Sequence, residues 1–193
     1  MKRPTMKGVL ITAFLCIWVP MIHAEVNVLV AYYSQTGNTK QLAEAIGQGA
    51  GAVTGTTVRV KSMEEITEKD LQWANALAVG CPVHMSNIPH QVLAMMMKWP
   101  GKDLQNKVAA VFVTSGYMST GEEFTQINLM LNLLMKRMII VGGPDNSQPF
   151  GVTAVTGEEV FKSMNAKGIA DLFVTKGKAL GRRLAEIAGM IKK

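Results

Sequence analysis

The chain is expected to fold as one α/β domain, a doubly wound five-stranded parallel sheet in the order 2-1-3-4-5 with helices on both faces. Three observations predict it. Apolar runs of strand length recur without polar alternation, the pattern of parallel strands buried on both faces. Segments of helical periodicity separate those runs. The 193 residues are 48% hydrophobic and 18% charged, enough for one core without disulfide staples.

The strand-like runs cover residues 26–32, 57–61, 76–81, 108–114 and 138–141, the second being the least hydrophobic. Between the first two, Ala43, Ile46 and Ala50 fall on one helical face, and Gly51 is placed to end that helix. Further helices are expected over 90–99 and 121–136, and from about residue 167 onward. The last carries Ile169, Leu172, Phe173, Leu180, Leu184, Ile187 and Ile191 as an apolar stripe, read as core.

Residues 1–24 stand apart. Lys2, Arg3 and Lys7 precede an apolar stretch over 8–21, and Ile22-His23-Ala24 offers a cleavage site before Glu25. This reads as a secretory signal, leaving a domain over 25–193 that is exported, to a periplasm, with no stable membrane insertion after cleavage. The alternative is an uncleaved anchor, against which stand Pro20 and a run shorter than the roughly 20 residues a span needs. Removing the leader takes the formal charge from +6 to +3, with 17 basic against 14 acidic residues. Such a small, scattered excess excludes nucleic acid as a partner. Cys16 would leave with the leader, so Cys81 has no disulfide partner in the exported chain.

In a doubly wound sheet, ligands bind outside the carboxyl ends of the strands. The loop after the first strand reads Ser34-Gln35-Thr36-Gly37-Asn38-Thr39 and opens a helix. Backbone N–H groups at such a terminus lack intrahelical partners and favour an anion. Hydroxyls of Ser34, Thr36 and Thr39 add donors, and Gly37 permits close approach; the alternative is an ordinary capped turn. The loop is neither a Walker A sequence nor a dinucleotide fingerprint. Met95-Met96-Met97 invites a copper site, but consecutive helical side chains diverge, so core packing is the reading and no metal is expected.

The opening V-L-V-A-Y-Y-S-Q-T-G-N-T resembles that of flavodoxins and of the WrbA family of NAD(P)H:quinone oxidoreductases. The resemblance implies FMN, with its phosphate on Ser34 through Thr39. A second loop, G-C-P-V-H-M-S-N-I-P, is similar to the family's G-T-P-T-R-F-G-N-M and implies flavin contacts from Pro82, Val83, His84, Met85, Ser86 and Asn87. His84 stands where the family commonly has arginine, and could settle charge beside a reduced flavin; otherwise it is a solvent-facing histidine. A third loop, F-V-T-S-G-Y-M-S-T-G-E-E, is similar to F-x-S-T-G-T-x-x-G-G-Q-E. It implies contacts from Thr114, Ser115, Gly116, Tyr117, Met118 and Ser119, and ends on Gly121 and Glu123. Tyr117 could shelter the ring or, alternatively, cover the edge of the core.

Trp99, thirteen residues before Phe112, occupies the family's substrate-side tryptophan position; plain packing is the other reading. The segments M-I-I-V-G and S-Q-P-F-G-V-T-A-V-T-G extend the similarity to Gly157. Two features depart from the family: its histidine before M-I-I-V falls on Met135, and its long insertion is reduced to residues 62–75. The resemblance implies two-electron transfer from NAD(P)H to a quinone or similar acceptor, His84 and Tyr117 being the catalytic candidates, in a homodimer or a tetramer. Alternatives are a one-electron flavodoxin carrier, which the mildly basic charge disfavours, and a flavin-free binding protein with the same fold.

Overall fold

A computed structural model describes residues 25–162 and 168–192. Residues 1–24, expected from the sequence to be a secretory signal, lie outside the described residues. Six strands form one parallel sheet: β1 (Val26–Tyr32), β2 (Thr56–Ser62), β3 (Ala76–Pro82), β4 (Val108–Ser115), β5 (Ile139–Ile140) and β6 (Val152–Val155). The order is β2-β1-β3-β4-β5, as predicted, with β6 also paired to β4.

The fifth position is where the structure departs from the sequence reading. Only Ile139 and Ile140 pair there, with the start of β4, and β6 takes over along Phe112–Ser115. The chain leaves the sheet between them at Gly142 and Gly143, where a Cβ would lie 2.9 Å from the Pro149 carbonyl oxygen and 1.7 Å from that of Gln148. Two short runs therefore share one edge that a single run of four was expected to fill.

Seven helices are described: α1 (Asn38–Gly51), α2 (Glu68–Trp73), α3 (His90–Met97), α4 (Gly101–Leu104), α5 (Glu122–Leu134), α6 (Glu159–Lys162) and α7 (Asp171–Ile191). Strand alternation divides the core in two. Val28, Val30 and Phe112 meet Leu42 and Ile46 of α1 and Leu180 and Leu184 of α7, whereas Leu29, Val79 and Val111 meet Leu71, Met96, Leu129 and Leu133 on the opposite face. Within the α7 stripe, Ile169, Phe173, Leu180 and Leu184 are buried, but Leu172 and Ile191 are exposed. Gly51 is the last residue of α1, and the left-handed turn follows at Gly55, φ 79°.

α1 and α7 touch backbone to backbone. A Cβ at Gly49 would lie 1.9 Å from the Lys178 carbonyl oxygen, and one at Gly181 1.9 Å from that of Ile46. Glycine at both places sets the helix separation, and α1 is thereby held firmly behind the loop at its amino end.

Under β2, Asp70 of α2 is 3% exposed and accepts from Lys61 Nζ at 2.8 Å and Arg59 Nη1 at 3.0 Å. Burial alone would raise its pKa; hydrogen bonds from Lys61, Thr67 and Arg59 outweigh that and hold the carboxyl below the usual range. Arg59 also stacks on Trp73, 3.9 Å from the ring centroid. Among the described residues no helix is long and apolar enough to cross a membrane.

Candidate functional site at the carboxyl edge of the sheet

The loop after β1 turns into α1 through Gly37, whose φ of 95° is left-handed and disfavours a side chain. Its amide donates to Ser34 Oγ at 3.1 Å. The first intrahelical bond runs from the Gln41 amide to the Gly37 carbonyl, and no side chain caps the helix. Among the described residues the amides of Asn38, Thr39 and Lys40 are therefore left for an external acceptor. Gln35 and Thr36 are exposed, Ser34 and Asn38 half-buried, and Thr39 buried.

The loop after β3 is a tight hairpin. His84 and Asn87 exchange both backbone hydrogen bonds at 2.9 Å, with Met85 and Ser86 between them at φ 48° and 59°. Two positive φ values define a type I′ turn, here built without glycine. Met85 projects fully at the tip, whereas Pro82, Val83 and His84 are half-buried. No hydrogen bond engages the His84 imidazole among the described residues. Asn87 Oδ1 is fixed by the Ile88 amide and by Asn128 Nδ2 of α5, each at 2.8 Å.

The loop after β4 joins the other two. Thr114, itself buried, shares a 2.7 Å hydroxyl hydrogen bond with Thr39, and its carbonyl accepts from the Val83 amide at 2.8 Å. Gly121, φ 101°, lies so close to the hairpin that a Cβ would come within 2.5 Å of Ser86 Cα. All three predicted loops thus meet, with Thr114 as their common junction. Tyr117 is 59% exposed, and Gly116, Met118 and Ser119 are exposed beside it.

Two contributors escaped the sequence reading. The acid that organises the third loop is Glu122, not Glu123: it is buried, and its carboxylate accepts from the Thr120 amide at 2.6 Å and from Ser115 Oγ at 3.3 Å. Its place in the first turn of α5, directly after a glycine, was the available signal. The segment after β6 is the second. Gly157 donates to the Gly116 carbonyl at 2.5 Å, and Glu158 Oε1 accepts from the Met118 amide at 3.3 Å.

Trp99 does not join these loops within the chain. It is 6% exposed, packs in the core beside Met96 and Leu104, and lines a separate cavity with Met63 and Leu71. Burial also pushes the Cys81 thiol up to about 12. Among the described residues no cluster of His, Cys, Asp and Glu is arranged to hold a metal. A cavity of about 490 Å³ opens on the far flank of the third loop, between Met118–Gln126 and Ser147–Val155.

A flavodoxin-domain family model matches residues 29–143. The chain belongs to the flavodoxin-like superfamily. It is 33% identical over 167 residues to a flavodoxin of Aquifex aeolicus, covering 83% of this chain and 85% of that one. An NAD(P)H dehydrogenase (quinone) of Archaeoglobus fulgidus is 30% identical over 197 residues, covering 84% and 97%. The solved structure of a flavodoxin, WrbA-like protein from Agrobacterium tumefaciens superposes with a TM-score of 0.67 at 20% identity, over 84% of this chain and 97% of that one. The chain is a flavodoxin-fold flavoprotein by family, and its relatives divide in name between flavodoxins and NAD(P)H dehydrogenases (quinone).

Proposed function

We propose that the protein binds FMN across the three loops and passes two electrons from NAD(P)H to a quinone or similar acceptor. The observation that carries the reading is the left-handed Gly37 opening α1 with its first amides unpaired, beside a buried Thr39 tied to Thr114. That donor set fits a phosphate monoester, since each N–H to a charged oxygen is worth roughly 1.5–3 kcal/mol. When bound, FMN supplies hydride and electron transfer.

The chain's own residues do the rest. Asn38, Thr39 and Lys40 offer amides to the phosphate, and Thr36 and Thr39 offer hydroxyls. Val83 and Asn87, fixed through their backbone and side-chain bonds, hold the hairpin against one edge of the ring, and Gly116 through Ser119 line another. His84, whose imidazole has no hydrogen-bond partner among the described residues, settles negative charge beside the ring, and the exposed Tyr117 ring shelters it from water. The acceptor is placed in the 490 Å³ cavity, which shares Met118, Ser119 and Gly121 with the third loop and has the size of a small-molecule site. Export is part of the same reading, with Glu25 as the first residue of the mature chain; N-terminal sequencing of the secreted product checks it.

A one-electron carrier is the second reading, favoured by the similarity to the Aquifex aeolicus flavodoxin. One experiment separates the two. The purified protein is given FMN and then NADH or NADPH without oxygen. Bleaching of the yellow colour is the expected result. A flavin that nucleotides leave oxidised, but dithionite reduces in two one-electron steps, supports the carrier; failure to retain flavin refutes both.

A further inference from the structure

The register of the sheet sets the amino ends of its strands in line: Val28 pairs with Ala76, Ala76 with Val108 and Val108 with Ile139. The segments that enter those strands, over 73–75, 98–107 and 135–138, share this edge with the end of α7. Hydrogen bonds tie them together. The Asn106 amide donates to the Arg137 carbonyl at 2.9 Å, and Lys136 Nζ donates to the Trp99 carbonyl at 2.9 Å. Lys107 Nζ donates to the Leu71 and Gln72 carbonyls at 2.6 and 3.0 Å, and Lys192 Nζ donates to Asn75 Oδ1 at 3.2 Å.

One connected edge thus gathers Lys98, Lys102, Lys107, Lys136, Arg137 and Lys192. Among the described residues none of the six forms an ion pair. The acids in these segments are Asp103, half-buried, and Glu25 at the start of β1. The opposite edge carries acids instead: Glu122 and Glu123 follow the third loop, and Glu158 and Glu159 follow β6. A basic excess that is scattered in the sequence becomes, in the fold, a charge asymmetry along the strands.

We propose that the amino edge of the sheet docks on an anionic phospholipid bilayer, the domain lying peripherally with its carboxyl edge turned away. Charge alone suits any polyanion. Apolar side chains at the same edge favour a bilayer: Met135 on one side of the sheet is 85% exposed, and Met190 and Ile191 on the other are 66% and 46% exposed. Such side chains enter the boundary between headgroups and acyl chains while the cations stay on the phosphates. A nucleic-acid backbone gives them no partner. Chain entry agrees with this orientation. Residues 1–24, with Lys2, Arg3, Lys7 and the apolar run over 8–21, join the domain at Glu25 on this edge. The inference holds whether or not the domain carries a flavin.

The chain from Glu25 onward contains the whole sheet and both halves of the core, so it tests the edge apart from residues 1–24. It should pellet with vesicles of phosphatidylcholine and phosphatidylglycerol in equal parts, stay in solution with phosphatidylcholine alone, and be released at about 0.5 M salt. Each cation near an anionic surface is worth about fivefold in affinity, so Lys98→Glu/Lys102→Glu/Arg137→Glu should weaken adsorption by about a hundredfold or more. Lys178→Glu/Arg182→Glu/Arg183→Glu makes the same charge change on exposed positions of α7, and should bind at least about tenfold more tightly than the first variant. On the full chain, hydrogen exchange with the mixed vesicles should slow over 98–107 and 135–138 and not over 34–39 or 116–123. No adsorption by the chain from Glu25, equal losses in the two variants, or slowing at the carboxyl edge instead overturns the proposal. Displacement by duplex DNA at equal phosphate concentration would assign the edge to a nucleic acid and overturn it too.

Discussion

Alanine at Gly181 and at Gly189, both in α7, should move stability in opposite directions. On an isolated helix each change would stabilise by up to about 1 kcal/mol, because alanine loses less backbone freedom on folding. At Gly189 the new methyl meets only Val26 Cγ2, at 3.6 Å, an ordinary contact. At Gly181 it would sit 1.9 Å from the Ile46 carbonyl oxygen and 2.9 Å from the Ala50 amide nitrogen, both backbone atoms of α1 that no rotamer change can move. The helices must separate by more than an ångström, with loss of packing among Leu42, Ile46, Leu180 and Leu184. Overpacking of this kind costs about 1–3 kcal/mol, which exceeds the helix-propensity gain. In a domain of this size, that is a fall of about 2–10 °C in Tm for Gly181→Ala, against no change or a small rise for Gly189→Ala. Urea denaturation and thermal scans of both variants read the difference. Equal effects at the two positions would refute the close α1–α7 contact, and with it the rigid seating of the loop that α1 presents.

Thr39→Val leaves the buried Thr114 hydroxyl unpaired and should cost about 1–3 kcal/mol of stability. The double variant Thr39→Val/Thr114→Val should cost less than the two single changes together, which a double-mutant cycle by urea unfolding would show. Asp70→Asn should destabilise by about 1–3 kcal/mol at neutral pH, since Lys61 and Arg59 lose a charged acceptor. The folded pKa of Asp70 lies below its unfolded value of about 3.9, so its stabilisation is complete above that pH and fades as pH falls through the folded value. The gap between wild type and variant should accordingly narrow below about pH 4 in chemical denaturation. Cys81, buried and with its thiol pushed up to about 12, should resist iodoacetamide at pH 8 in the folded protein and react once it is unfolded in urea, as peptide mapping would reveal.

The sheet was legible because three of its strands, β1, β3 and β4, are buried on both faces, and continuous apolar runs of that kind have few other uses. Residues 26–32 match β1 at both ends, β2 is one residue longer than expected at each end, and β3 and β4 are one residue longer at the carboxyl end only. The fifth position was not legible, because Ile139–Ile140 is too short to carry a period and Val152–Val155 lies beyond a loop rich in proline and glycine. Helices α2 and α4, of six and four residues, are likewise below the length at which periodicity speaks. At the site, Ser34 through Thr39 could be found from one local pattern, strand then small polar loop then helix. Contacts such as Thr39–Thr114, 75 residues apart, leave no trace in either segment alone. Glu122 and Glu123 are neighbours of one type, and only the turn at Gly121 decides which of them reaches Ser115 and Thr120. Trp99 shows the converse: a position shared with a family does not disclose that its ring is packed into the core.

Calorimetric titration with FMN and with riboflavin, which differ only in the phosphate, tests the anion loop most directly. FMN should bind at least a hundredfold more tightly, the equivalent of about 2.8 kcal/mol, or one to two amide bonds to a charged oxygen. Equal affinities, or no heat with FMN, would contradict the assignment of Ser34 through Thr39 as its phosphate site.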